Sequence, residues 1–263
     1  MLLKRLLVAL IAFAALTSAP VLAADLPLKA SPPPVAEPAA DWTGLYIDGD
    51  LGWQQESLRW FFVNVAPAAG EAPFSLSQGT GIAAGHIGYQ QQFGWLVVGA
   101  EFGAATPTST RLASIVSPGG APGVPCQTAT FGNQCQARLG NFETVGGKAG
   151  YAWQDWMVYG AGGVAWGQTP SQSIFPNGTI ADMTTTPTHY GWYAGAGIDW
   201  MAAKTRLVDV ILGVEYQHVA LGSALQTSSA DTFDPNGITA RTVSAKADMA
   251  LAKLTVKFNP FAR

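Results

Sequence analysis

The chain is 263 residues long, ample for one domain, and its 14 basic and 17 acidic side chains give a formal net charge of −3. Apolar residues make up 48% of it and charged residues only 12%, whereas a soluble domain carries about 25% charged residues. This mildly acidic balance, with no basic cluster anywhere, argues against nucleic acid as a partner.

Taken in chain order, the first segment is a targeting signal. Lys4 and Arg5 precede an uncharged apolar run, Leu6 to Leu16, which Pro20 ends. Val21-Leu22-Ala23 then supplies the small-residue pattern of a signal-peptidase site, and the apolar run is too short to cross a membrane as a helix. Cleavage is expected between Ala23 and Ala24. Removing residues 1–23 takes away only Lys4 and Arg5, so the mature balance is 12 basic minus 17 acidic, or −5. Residues 24–41 hold Pro27, Pro32, Pro33, Pro34 and Pro38 and little that could build a core; they read as an extended periplasmic linker.

After Asp41 the pattern becomes an alternation of period two, the mark of strands with two unlike faces. The first strand begins near Trp42-Thr43-Gly44, with Leu45, Ile47, Gly49 and Leu51 on one face and Tyr46, Asp48, Asp50 and Gly52 on the other. A second, around 80–92, sets Ile87 and Tyr89 against His86, Gly88 and Gln90, and Phe93-Gly94 turns the chain tightly. The third sets Leu96, Val98, Ala100 and Phe102 against Val97, Gly99 and Glu101. The fourth, 138–153, sets Val145, Ala149, Tyr151 and Trp153 against Thr144, Gly146 and Lys148; Gln154-Asp155 leads into a fifth, 156–167. The sixth, 188–201, sets Trp192, Ala194, Ala196, Ile198 and Trp200 against Tyr193, Gly195, Gly197 and Asp199. The seventh, 207–221, sets Val208, Val210, Leu212, Val214 and Tyr216 against Asp209, Ile211, Gly213, Glu215 and Gln217. The last, 241–258, ends with Leu254, Val256 and Phe258 opposite Lys253, Thr255 and Lys257.

A greasy chain broken throughout by 30 glycines and 17 prolines has no mature run of apolar residues long enough for a membrane helix. A closed barrel is the other structure that satisfies every backbone group in lipid. The predicted connections alternate between tight turns and long links rich in Ser, Thr, Pro, Gly and Asn, as short periplasmic turns and long external loops do in such barrels. The expected fold is therefore all-β: an eight-stranded, antiparallel, up-and-down transmembrane β-barrel over 42–263, with both termini in the periplasm. A soluble barrel with its apolar face inward is disfavoured because the strands carry too few charges for a wetted surface. Trp42, Trp53, Trp95, Tyr151, Trp153, Trp156, Trp166, Trp192, Trp200, Tyr216 and Phe258 gather near strand ends, the girdle positions at the two interfaces.

Three stretches carry a family resemblance. ADLPLKA and DWTGLYIDGDLG within 24–52, GIAAGHIGYQQQFGWLVVGAEFG at 81–103, and GWYAGAGIDW with LVDVILGVEYQHVALG within 191–222 resemble the outer-membrane immunogenic, opacity-protein-like barrels of alphaproteobacteria. The resemblance implies the eight-stranded fold of the OmpA transmembrane domain, in the cell outer membrane. Such barrels usually stop at a terminal aromatic that the assembly machinery reads. Here Asn259-Pro260-Phe261-Ala262-Arg263 follow Phe258, so Phe258 and Phe261 both qualify.

Inward positions collect nearly all the strand charges: Asp48, Asp50, Glu101, Asp199, Asp209 and Glu215, with Lys148, Lys253 and His86. Eight strands enclose little more than their own side chains, so these charges are expected to pair and plug the lumen. Lumen glycines (Gly99, Gly146, Gly195, Gly197, Gly213) are expected to make room for large neighbours. Cys126 and Cys135 share one long external link and, in an exported protein, are expected to form a disulfide.

Catalytic, cofactor-binding and metal-binding residues are not expected. His86, His189 and His218 are scattered, and none has a serine two residues on; Gly88, Gly191 and Ala220 stand there. The expected role is structural, at the cell surface, with lipid, lipopolysaccharide and the outer-membrane assembly machinery as partners and loops free for external contacts. The alternatives are a surface receptor for haemin or another small ligand, with His189 at the external rim, and a narrow channel.

Overall fold

The computed structural model describes residues 40–62, 74–115, 134–174, 180–183, 185–227 and 240–259. The cleavage site at Ala23 and Ala24, the linker as far as residue 39, Cys126 and Phe261 lie outside the described residues.

Twelve strands form two sheets. The wall is built from β1 (Gly44–Phe62), β2 (Phe74–Phe93), β3 (Leu96–Pro107), β6 (Phe142–Trp153), β7 (Trp156–Gln168), β10 (Thr188–Lys204), β11 (Val208–Thr227) and β12 (Ala240–Phe258). They close in the order β1-β12-β11-β10-β7-β6-β3-β2, every pair antiparallel, with β1 hydrogen-bonded to β12 from Leu45↔Phe258 to Phe62↔Arg241. This is the expected eight-stranded up-and-down barrel, although β2 below residue 82 and β11 beyond Leu221 run past their partners β3 and β10. The expected faces hold too: Asp48, Glu101, Lys148, Asp199, Glu215 and Lys253 are buried inside, while Leu45, Ile47, Val98, Tyr151, Trp192, Val214 and Leu254 are exposed outside.

Two-residue turns join β2 to β3 at Gly94-Trp95 and β6 to β7 at Gln154-Asp155. The first lies one residue beyond the predicted Phe93-Gly94, because Phe93 still pairs with Leu96. Each opens on a left-handed residue, Gly94 at φ 64° and Gln154 at φ 52°, as tight turns that follow strand twist require.

Three features depart from expectation. Trp42 is neither in the first strand nor in a girdle: β1 starts at Gly44, and Trp42 is fully buried with Val97, Met157 and Ile211 at the mouth on the tight-turn side. A second sheet, β4 (Ala113–Ile115), β5 (Gln134–Ala137), β8 (Ser171–Ile174) and β9 (Ile180–Met183), is formed from the two longest links between wall strands; β5 pairs with β8 and so joins those links to each other. Finally, the strands run past the expected ends, β1 to Phe62 and β11 to Thr227, and their polarity inverts on the way.

That inversion falls at one register row on four adjacent strands. The row Tyr216–Ala250–Trp53–Gly81 is the last of the apolar outer wall, and the next row upward is His218–Asp248–Gln55–Gly79. Above it the outer face carries Ser57, Arg59, Ser75, Ser77, Lys246 and Ser244, whereas Leu58, Trp60, Leu76, Val219, Leu221, Val243 and Ala245 are buried inside. Below it the outer face is apolar and the inner face carries Asp48, Asp50, Glu215 and Lys253. From the row holding Leu45 and Phe258 to the row holding Trp53 and Ala250, a tilted strand climbs about 20 Å, close to the apolar band of an outer-membrane barrel. The barrel therefore has a membrane storey, apolar outside, and an upper storey with a core like that of a soluble sandwich.

Candidate functional site

The lumen is filled in three layers. At the mouth on the tight-turn side Trp42 is pinned by its own backbone: its N–H donates to Gln92 Oε1 (2.8 Å) and its carbonyl accepts from Gln90 Nε2 (2.8 Å). Lys257 ties the same entrance down, donating to the carbonyls of Asp41 (2.5 Å) and Thr43 (3.3 Å) while its Nζ pairs with Asp209 Oδ2 at 2.9 Å. Asp209, one of the expected inward charges, is buried and paired at this mouth.

The middle layer is the charge network foreseen from the alternation. Lys253 Nζ lies 2.8 Å from Glu215 Oε2 and 3.6 Å from Asp48 Oδ2. Lys148 Nζ lies 3.7 Å from Asp199 Oδ2 and sits over the ring of Tyr159, 4.0 Å from its centroid. Glu101 has no cation among its described partners; it accepts instead from the hydroxyls of Tyr46 (2.7 Å) and Tyr193 (3.4 Å). Tyr159 donates to Glu215 Oε2 at 2.7 Å. These tyrosines fit because each lies over a glycine on a nearby strand: Tyr46 over its register partner Gly88, Tyr159 over its partner Gly197, and Tyr193 over Gly146 two strands away, where any Cβ would strike the phenol. The expectation that lumen glycines make room for large neighbours holds at these positions.

One cluster forms only through strand pairing. Asp48 and Asp50 are two apart on β1 and so share its inner face; His86 pairs with Asp48 across β2. His86 Nδ1 lies 2.9 Å from Asp48 Oδ1 and 3.1 Å from Asp50 Oδ2, all three residues buried. The cue was available, since all three had been placed on inward faces, but only strand register brings them together.

The upper layer is apolar, which corrects the view of the lumen as a wholly polar plug. Leu58, Trp60, Leu76, Ile82, Val219, Leu221 and Met249 pack with Cys135, Ala137 and Leu139 from the link between β3 and β6. That link is bonded in place, the Leu139 N–H donating to Glu56 Oε2 at 2.9 Å. Cys135 is buried in this core, and the expected pairing with Cys126 falls outside the described residues.

His189 is not at the surface of the rim. It is 1% exposed, with Nδ1 2.9 Å from the Gly222 carbonyl and Nε2 2.5 Å from Thr169 Oγ1. Burial holds its pKa below the ordinary histidine value, with the Gly222 contact opposing. Both ring nitrogens are occupied, so the geometry offers haemin no free imidazole there. His218 sits on the outer face, where Asp248 Oδ1 receives its Nδ1 at 2.8 Å and the Tyr216 hydroxyl at 2.5 Å.

No family model matches the chain, and no curated protein matches it. Among solved structures it is similar to Neisserial surface protein A (13% identity, 82% of this chain and 98% of that one, TM-score 0.37). It is also similar to the outer membrane protein OprG from Pseudomonas aeruginosa (12%, 81% and 96%, TM-score 0.39). A third is the outer membrane protease OmpT from Escherichia coli (10%, 84% and 99%, TM-score 0.42). Likeness at this level carries nothing about activity.

Proposed function

We propose that this chain is an outer-membrane β-barrel whose lumen is permanently closed and whose work is done at the external cap. The observation that carries this reading is the inversion of strand polarity at one row, Trp53–Ala250–Tyr216 below and Gln55–Asp248–His218 above. A wall with Leu51, Trp53, Trp192, Val214 and Leu254 facing out is built for lipid, and a storey with Ser57, Arg59 and Lys246 facing out is built for water. The long connections lie at that wetted end, so the termini belong in the periplasm.

The same reading takes in the rest of the sequence. Residues 1–23 serve as an export signal, lipopolysaccharide surrounds the upper girdle, Cys126 and Cys135 staple the cap, and the chain has no catalytic activity. Its resemblance in sequence to the opacity-protein-like barrels agrees with this role. A pore is disfavoured because apolar layers lie both above and below the charged one.

Two measurements test the proposal together. Pure folded protein in a planar bilayer should give no discrete conductance steps. On intact cells, protease should cut only within the links 63–73, 108–141, 169–187 and 228–239. Steady unitary conductance would sink the closed lumen, and cutting at the Gly94-Trp95 turn would invert the orientation.

A further inference from the structure

The middle layer is short of positive charge. Asp48, Asp50, Glu101, Asp199 and Glu215 face Lys148 and Lys253, with His86 the remaining basic group there. Five carboxylates against three cations leave two negative charges uncompensated even with His86 protonated, in a space sealed from water above and below. Uncompensated charge in a low-dielectric interior is among the most expensive things a fold can hold.

The deficit has a location. His86 Nδ1 carries at most one proton, yet two buried carboxylates stand within 3.1 Å of it. The proton goes to Asp48 Oδ1, which also accepts the His86 backbone N–H at 2.7 Å. Asp50 is left with neither oxygen accepting a hydrogen bond from a described residue, although its side chain is fully buried and aimed at the imidazole. Asp48 Oδ2 lacks a hydrogen bond as well.

We propose that Asp48, Asp50 and His86 form a divalent transition-metal site that cuts the charge deficit of the barrel interior to a single negative charge. One imidazole nitrogen and two carboxylates are the donor set that such ions take. Ligand atoms 2.9–3.1 Å apart are spaced like neighbouring ligands around one ion, given metal–ligand bonds of about 2.0–2.2 Å. The ion displaces the Nδ1 proton, takes Asp50 as a ligand and leaves Asp48 Oδ2 to Lys253. Gly103 leaves space for the ring, since a Cβ there would come within 2.7 Å of His86 Nε2. With both mouths plugged, the ion enters while the barrel assembles and is slow to leave.

The test uses tag-free mature protein refolded in detergent with Zn2+, passed through metal-free gel filtration and assayed by atomic emission. Heat-modifiable migration confirms folding of every variant. Wild type should retain one Zn2+ per chain, and Asp50→Asn and His86→Gln less than a tenth of that. His218→Ala, which removes the outer-face pair with Asp248, should retain the full amount. Refolding with Co2+ should give visible absorption bands that His86→Gln abolishes. A wild-type barrel without Zn2+, folded Asp50→Asn and His86→Gln variants that keep it, or loss in His218→Ala would each overturn the proposal.

Discussion

Lys253 shows how much one side chain carries in this barrel. It is buried against Glu215, Asp48 and the Tyr159 hydroxyl, so Lys253→Met strands two carboxylates in a dry interior. We expect a loss of about 3–5 kcal/mol in urea unfolding. Glu215→Gln in the same background should return part of it, because it removes one stranded charge. Gly103→Val should cost about 1–3 kcal/mol by driving a methyl group into the His86 ring. His189 adds a pH dependence to the upper storey. Its pKa in the folded state lies below the unfolded value, so the unfolded chain binds more protons at acid pH. Its contribution is therefore present above the unfolded pKa of about 6.5 and fades as pH falls through it. The stability of wild type should drop between pH 7 and pH 5 more steeply than that of His189→Gln, read by protease resistance of the cap.

At the scale of the element, the polarity inversion predicts a depth dependence along single strands. Leu212 is midway between Val208 and Tyr216 on the outer face of β11, so Leu212→Arg should cost about 2–4 kcal/mol when the protein is folded in lipid. Ser57, above the upper girdle, should accept arginine within about 0.5 kcal/mol. Equal costs at the two sites would remove the two-storey description. The β6–β7 turn offers a gain: Gln154 sits at φ 52°, where glycine avoids the Cβ clash. Gln154→Gly should stabilise by about 0.5–1 kcal/mol, measured as a shift in the urea midpoint.

For the molecule as a whole, the layers explain why closure does not depend on a single plug. Trp42 seals below, the charges fill the middle, and the apolar core with Cys135, Ala137 and Leu139 seals above. Trp42→Ala alone should therefore leave the barrel without conductance in a planar bilayer. The small sheet β4–β5–β8–β9 links two long connections through the pairing of β5 with β8, which makes that end of the barrel one unit.

The eight long strands, their inner and outer faces, and the inward placement of Asp48, Glu101, Lys148, Asp199, Glu215 and Lys253 were legible in the sequence. A period of two is local, and composition says which face tolerates lipid. Other features are settled only between strands. The meeting of His86 with Asp48 and Asp50 is a matter of register. Trp42 reads as a girdle residue until the closed ring gives it a mouth to fill. The inversion above Trp53 was present in Gln55, Ser57 and Arg59 against Leu58 and Trp60, but on one strand it looks like noise. It becomes a boundary when neighbouring strands change sides at the same register row, which is visible only once the strands are paired.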